Sequence, residues 1–116
     1  EYQRNYMQYN PGALLSKYYS IAHGVAQMDT SLINHVTFDY HNLITDPFKE
    51  KYDIIFCRNV MIYFDNKAKL ILFEKFHQSL HPGGLFIIGF YDAVLPLVDP
   101  TKFRVLDMDA KIFQKI

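Results

Sequence analysis

The sequence predicts an α/β fold in which strand, helix and strand follow one another and an antiparallel hairpin closes the sheet. Three observations carry that prediction. Ile54 to Cys57 is an apolar run of the kind shown by a strand buried on both faces, and Leu85 to Tyr91 is a second. Between them, residues 65–80 hold the clearest helical periodicity in the chain. Beyond them, Phe103 to Met108 and Ala110 to Ile116 form two short strands joined at Asp107-Met108-Asp109.

Each element has its own signal. Residues 1–10 are polar and aromatic without clear period, so they are expected to form an irregular surface layer. Asn10-Pro11-Gly12 is turn chemistry or a helix start, and Ala13 to Tyr19 reads as a short helix. Residues 20–34 are ambiguous. His35 to Tyr40 alternates, with Val36 and Phe38 on one side, and is expected to be a strand. Asp46-Pro47 marks a loop over residues 42–51. Tyr52 to Arg58 is the expected central strand. Asp65 is placed to cap the long helix. Ala68, Leu70, Ile71, Leu72, Phe73, Phe76 and Leu80 supply its apolar stripe, with Lys67, Lys69, Glu74, Lys75 and Gln78 turned outward. His81-Pro82-Gly83-Gly84 ends it.

At 116 residues the chain has material for one domain. Its formal net charge of zero argues against a partner bound through a phosphate backbone, so no nucleic acid is expected. No apolar run reaches the roughly 20 residues needed to span a bilayer, and Glu1 to Asn5 carry no apolar leader. The single cysteine, Cys57, has no internal disulfide partner, which fits a reducing cytoplasm, and its apolar setting suggests a buried, inert thiol. The five histidines lack metal-ligand spacing. His77 and His81 form an i, i+4 pair whose better explanation is favourable charge at a helix C-terminus.

The central strand ends on Arg58-Asn59, two polar groups delivered to the carboxyl edge of the sheet, where open α/β folds bind ligands. Asn42-Leu43 follows the preceding expected strand. There Asn42 either offers its amide to a ligand's edge, with Leu43 against a ring face, or closes an Asx turn. Arg58-Asn59 either faces a ligand or is a structural pair bracing the next turn. Tyr63 is a core aromatic by default, unless its hydroxyl points into the cleft.

Cys57-Arg58-Asn59-Val60-Met61-Ile62-Tyr63-Phe64-Asp65 resembles the signature of the CheR-type chemotaxis receptor methyltransferases. Three further landmarks follow in that family's order: Val36-Thr37-Phe38 leading to Asn42-Leu43, then Leu80 to Phe86, then Phe113-Gln114-Lys115-Ile116. The resemblance implies a Rossmann-like class I methyltransferase domain, with residues 1–116 as its carboxyl-terminal portion. The strands would be the third to seventh of a sheet ordered 3-2-1-4-5-7-6. It implies S-adenosylmethionine as cofactor, and as substrate the glutamate side chains on cytoplasmic helices of chemotaxis receptors. Asn42 and Leu43 would contact the adenine end of the cofactor, and Arg58 and Asn59 its methionine and ribose side. Tyr63 would line the site of transfer. The enzyme would be cytoplasmic, with neither a metal nor membrane insertion.

Two features depart from that pattern. No glycine-rich turn follows a first strand, and no acidic residue is placed for a ribose, so the chain reads as a fragment that is inactive alone, unless another copy fills the gap. After the second apolar strand the family pattern is Gly-His-Ser-Glu-Ser, whereas Gly89 is followed by Phe90-Tyr91-Asp92-Ala93, with Asp92 able to stand in for the acidic group. A degenerate binding domain and a small-molecule methyltransferase are the rival readings.

Overall fold

Two units make up the computed structural model, which describes residues 1–92 and 95–116: one spans residues 1–40 and the other residues 41–116. Ala93, within the departing segment, lies outside the described residues.

The first unit begins with helix α1 (Tyr2–Tyr9). It forms where an irregular layer was expected: Tyr2, Tyr6 and Tyr9 recur at helical spacing among mostly polar residues, and none of its residues is buried. Its Tyr6 ring meets Tyr9 and Tyr18 at centroid distances of 6.4 and 6.0 Å. The helix expected over Ala13–Tyr19 is a single 3-10 turn, Leu15–Tyr18, because Tyr19 already enters strand β1 (Tyr19–Ala22). β1 pairs antiparallel with β2 (Val25–Met28). The hairpin turns on His23 and Gly24, at φ 51° and 76°, the left-handed pair that a two-residue hairpin loop needs. Asp29 then caps a second 3-10 turn, Thr30–Ile33, by accepting the Ser31 N–H at 2.9 Å. The strand expected over His35–Tyr40 does not form. Alternation alone does not make a strand: this segment has no pairing partner among the described residues, and Phe38 and Tyr40 are exposed.

The second unit carries a four-stranded mixed sheet in the order β3-β4-β6-β5. β3 (Tyr52–Cys57) runs parallel to β4 (Leu80–Ile88). β6 (Ile112–Lys115) pairs antiparallel with both β4 and β5 (Phe103–Asp107). This is the order 4-5-7-6 implied for the trailing strands of the Rossmann-like sheet, so the α/β reading and the terminal hairpin both hold. β4 starts at Leu80, five residues earlier than the apolar run predicts, and ends at Ile88. Gly84 permits this, since a Cβ there would sit 2.9 Å from the His81 carbonyl oxygen and 3.1 Å from that of Asp53.

The parallel crossover is helix α2 (Asn66–Ser79). Asp65 caps it as expected, accepting the Ala68 N–H at 2.8 Å. α2 buries Leu72, Phe73 and Phe76 against one face of the sheet. Phe86 of β4 sits at the centre, with ring centroids 5.6 Å from Phe73, 5.0 Å from Phe76 and 6.2 Å from Phe113. Each buried ring stabilises the fold by about 2–3 kcal/mol. Leu70 and Ile71, assigned to the stripe, are exposed on the helix's other side.

β3 is not buried on both faces, nor is it central. It is the sheet's edge strand, with Ile54 48 % and Phe56 68 % exposed. Only the face carrying Ile55 and Cys57 meets α2's layer; the opposite face, where Ile54 pairs with Leu85 and Phe56 with Ile87, has no helix on it among the described residues.

Charge at the C-terminus of α2 comes from lysines rather than histidines. Lys115 of β6 donates to the carbonyls of His77 (2.7 Å) and Leu80 (2.9 Å), and Lys51 donates to Gln78 (2.6 Å). The His77 ring packs edge-on against Phe103, and burial, followed by the Lys115 charge, pushes its pKa down.

Candidate functional site at the carboxyl edge of the sheet

Because β3 and β4 are parallel and Cys57 stands opposite Ile88, both strands end at the same edge. Arg58-Asn59 leaves one and Gly89 to Asp92 leaves the other. Asn59 adopts the left-handed conformation, φ 59°, which turns the chain sharply off the sheet. Asp92 is fully buried, and its Oδ2 accepts the N–H of Asn59 at 3.0 Å and of Gly89 at 2.8 Å. One carboxylate oxygen therefore clamps the two strand ends together, while Oδ1 has no partner among the described residues. Lys111, from the β5–β6 turn, donates to the Phe90 and Asp92 carbonyls and braces the clamp from behind. No side chain fits at Gly89, where a Cβ would lie 2.3 Å from Asn59 Oδ1.

Arg58 is exposed, with no ion pair among the described residues, so its guanidinium is open to a ligand rather than buried as a structural group. Cys57, one residue earlier, is buried. Burial pushes its thiol up to about 11, with the Asp92 carboxylate adding to the effect.

Asn42 forms the Asx turn that the sequence allowed: its Oδ1 accepts the N–H groups of Ile44 (3.0 Å) and Thr45 (3.2 Å). Its own N–H bonds Asp46 Oδ2 at 2.8 Å, and that bond, with the Thr45 hydroxyl, holds the Asp46 carboxyl below its ordinary value. The turn consumes the amide oxygen and leaves the Nδ2 donors uncommitted among the described residues. Leu43 lines an apolar cleft of about 290 Å³ along the outer edge of β3, shared with Phe56, Cys57, Val60 and Phe76. Leu43 is thus brought beside the strand that delivers Arg58 and Asn59. Lys75, expected to face outward, holds this loop down by donating to the carbonyls of Leu43 (2.5 Å), Ile44 (3.1 Å) and Asp46 (2.6 Å).

Tyr63 closes the 3-10 turn Met61–Tyr63 and is 80 % exposed, so it is not a core aromatic. No hydrogen bond joins its hydroxyl to Arg58, Asn59 or Asp92 among the described residues. Among those residues no group of histidine, cysteine or carboxylate side chains is placed to hold a metal, and no helix is long and apolar enough to cross a membrane.

A parallel strand pair with polar turns at its carboxyl edge, a single crossover helix and a closing antiparallel hairpin defines part of a Rossmann-like α/β methyltransferase sheet. The chain belongs to the family described as CheR methyltransferase, SAM binding domain, which matches residues 1–112. It is similar to the Cher3 protein of Pseudomonas putida, with 34 % identity over 99 % of this chain and 42 % of that protein. It also resembles chemotaxis protein methyltransferase 2 of Vibrio cholerae (36 % identity over 68 % of this chain and 29 % of that protein). For the chemotaxis protein methyltransferase of Listeria monocytogenes the values are 39 %, 55 % and 24 %. The chain therefore spans less than half the length of these relatives.

Proposed function

We propose that residues 1–116 are the carboxyl-terminal portion of a methyltransferase domain that moves the methyl group of S-adenosylmethionine to glutamate side chains of chemotaxis receptors. The observation that carries the reading is the clamped edge, where Arg58 and Asn59 leave β3 beside the apolar cleft lined by Leu43. The residues present fit one wall of such a cofactor. Leu43, Cys57 and Val60 offer an apolar bed for a purine, Asn42 Nδ2 offers a donor for its edge, and Arg58 and Asn59 stand ready for the polar remainder. The cofactor, when bound, supplies an electrophilic methyl group. A glutamate is already ionised at neutral pH, so the protein's task is alignment and exclusion of water. Tyr63, exposed just beyond the edge, is the residue we place beside the incoming carboxylate.

Titration calorimetry with S-adenosylmethionine tests this on two proteins. The 116-residue chain is expected not to bind, because it has no glycine-rich turn after a first strand and no acidic residue for the ribose; the same chain extended upstream is expected to bind in the micromolar range and to pass a tritiated methyl group to receptor glutamates. Micromolar binding by the short chain overturns the fragment reading. Binding without transfer by the extended protein favours a degenerate domain, for which the Phe90-Tyr91 replacement is the supporting observation.

A further inference from the structure

We propose that Asp92 is a positioning residue, whose carboxylate sets the left-handed turn at Asn59 and so holds Arg58 and Asn59 in the geometry that meets the cofactor. The proposal rests on the reading of that pair as a cofactor wall. Asn59 pays a conformational penalty at φ 59° that a free chain would relax. What opposes relaxation is the bond from Asn59 N–H to Asp92 Oδ2, at 3.0 Å. The same oxygen takes the Gly89 N–H at 2.8 Å, so the turn is referenced to the end of β4 and not merely to its own neighbours. Charge-assisted bonds of this kind are roughly twice as strong as neutral ones, and here they form at a fully buried group. Gly89 completes the arrangement, because any side chain would displace either Asn59 or the carboxylate. Lys111 fixes the carbonyls flanking Asp92 and stops the loop from swinging away. Every one of these contacts serves the turn, and none involves Arg58's side chain, which is left free to act.

The test is a double-mutant cycle in the upstream-extended protein, with Asp92→Asn and Arg58→Ala made singly and together. Asp92→Asn keeps the shape and weakens both amide bonds. It is expected to raise the Kd and KM for S-adenosylmethionine about tenfold while kcat stays within about twofold. In the Arg58→Ala background the same change is expected to cost clearly less, about threefold, since the turn then has only Asn59 left to misplace. The Asn59 amide proton, bonded to a carboxylate in the parent, is expected to shift upfield in the Asp92→Asn spectrum. If Asp92→Asn does not fold, Lys111→Met, which loosens the same loop from outside, is put through the same cycle with the same expectations. Equal losses in both backgrounds, or an unchanged KM beside a weakened Arg58→Ala, overturn the positioning role. An Arg58→Ala protein with parental affinity overturns the cofactor-wall reading instead.

Discussion

Lys75 on α2 donates its ammonium to the backbone carbonyl of Leu43 at 2.5 Å, tying the loop that carries Asn42 and Leu43 to the crossover helix. Two more carbonyls, of Ile44 and Asp46, complete its shell, and its Nζ lies 5.1 Å from the centre of the Phe48 ring. Replacing it with methionine keeps the aliphatic stem and leaves three carbonyls without their donor. Lys75→Met is expected to lower unfolding stability by about 2 kcal/mol, read as a shifted urea midpoint at unchanged slope. In the extended protein it is also expected to weaken cofactor binding, and a parental urea midpoint would show the three bonds to be dispensable.

Two glycines give a sharp contrast. Gly89→Ala forces a methyl group to within 2.6 Å of both the Asn59 nitrogen and Asp92 Oδ2, and is expected to cost at least about 3 kcal/mol or to prevent folding. Gly24→Ala meets open space and suffers only its positive φ, so its cost should be about 1 kcal/mol. Thermal melts of the two variants side by side decide the matter; similar losses would mean that the crowding at Gly89 is relieved by a small shift.

Cys57 makes a pH prediction. An unfolded cysteine ionises near pH 8.5, whereas the folded thiol is held up to about 11. The folded state therefore binds the proton more tightly, and its contribution to stability is full below the unfolded value and is lost as pH rises through about 11. Between pH 8 and 10.5 the parent should lose more stability than Cys57→Ala in paired urea titrations. At pH 8 native Cys57 should resist iodoacetamide and react only on unfolding; rapid native alkylation would refute its burial.

Legibility in the sequence followed burial. α2, β4 and the β5–β6 hairpin were readable because side chains in each face a core and Asp65 marks the start of α2; Gly83 and Gly84, read as the stop after the helix, lie inside β4. α1 was missed for another reason: Tyr2, Tyr6 and Tyr9 recur at helical spacing, but in a short, mostly polar segment none of whose residues is buried. Val36 and Phe38 misled because they alternate although no strand lies beside them among the described residues. The burial that Ile54 and Phe56 announce is not met within residues 41–116, which place no strand on the far side of β3 among the described residues. Of the candidate site, Arg58 was visible as a polar residue ending an apolar run, whereas Asn42 read from spacing as an Asx turn and was pointed to as a ligand contact only by the family resemblance. The tasks of Lys75 and Lys111 were not, because a lysine's identity says nothing about carbonyls some 20 to 30 residues away. Asp92 stood out only as a departure from a familiar pattern.

Tyr63→Phe removes one hydroxyl from a ring that is already exposed, so folding and cofactor affinity should be unaffected. Turnover in the extended protein should fall about tenfold if the hydroxyl orients the acceptor carboxylate, because reactions governed by alignment are sensitive to small displacements. Tritium transfer to a receptor fragment measures it. Parental turnover would leave Tyr63 without a part in the reaction.

The place of β6 has a consequence for biosynthesis. The four strands leave the ribosome as β3, β4, β5 and β6, yet β6 occupies an interior position, between β4 and β5. It brings Phe113 to the middle of the aromatic core and Lys115 to the end of α2. During translation, then, β3, α2 and β4 wait as an open-sided intermediate, with β5 lacking any hydrogen-bonded neighbour in the sheet until Ile112–Lys115 arrives. Closure of this half of the domain is set by the emergence of four residues, so the sheet completes only once all four strands have left the ribosome, whatever the speed of its earlier parts.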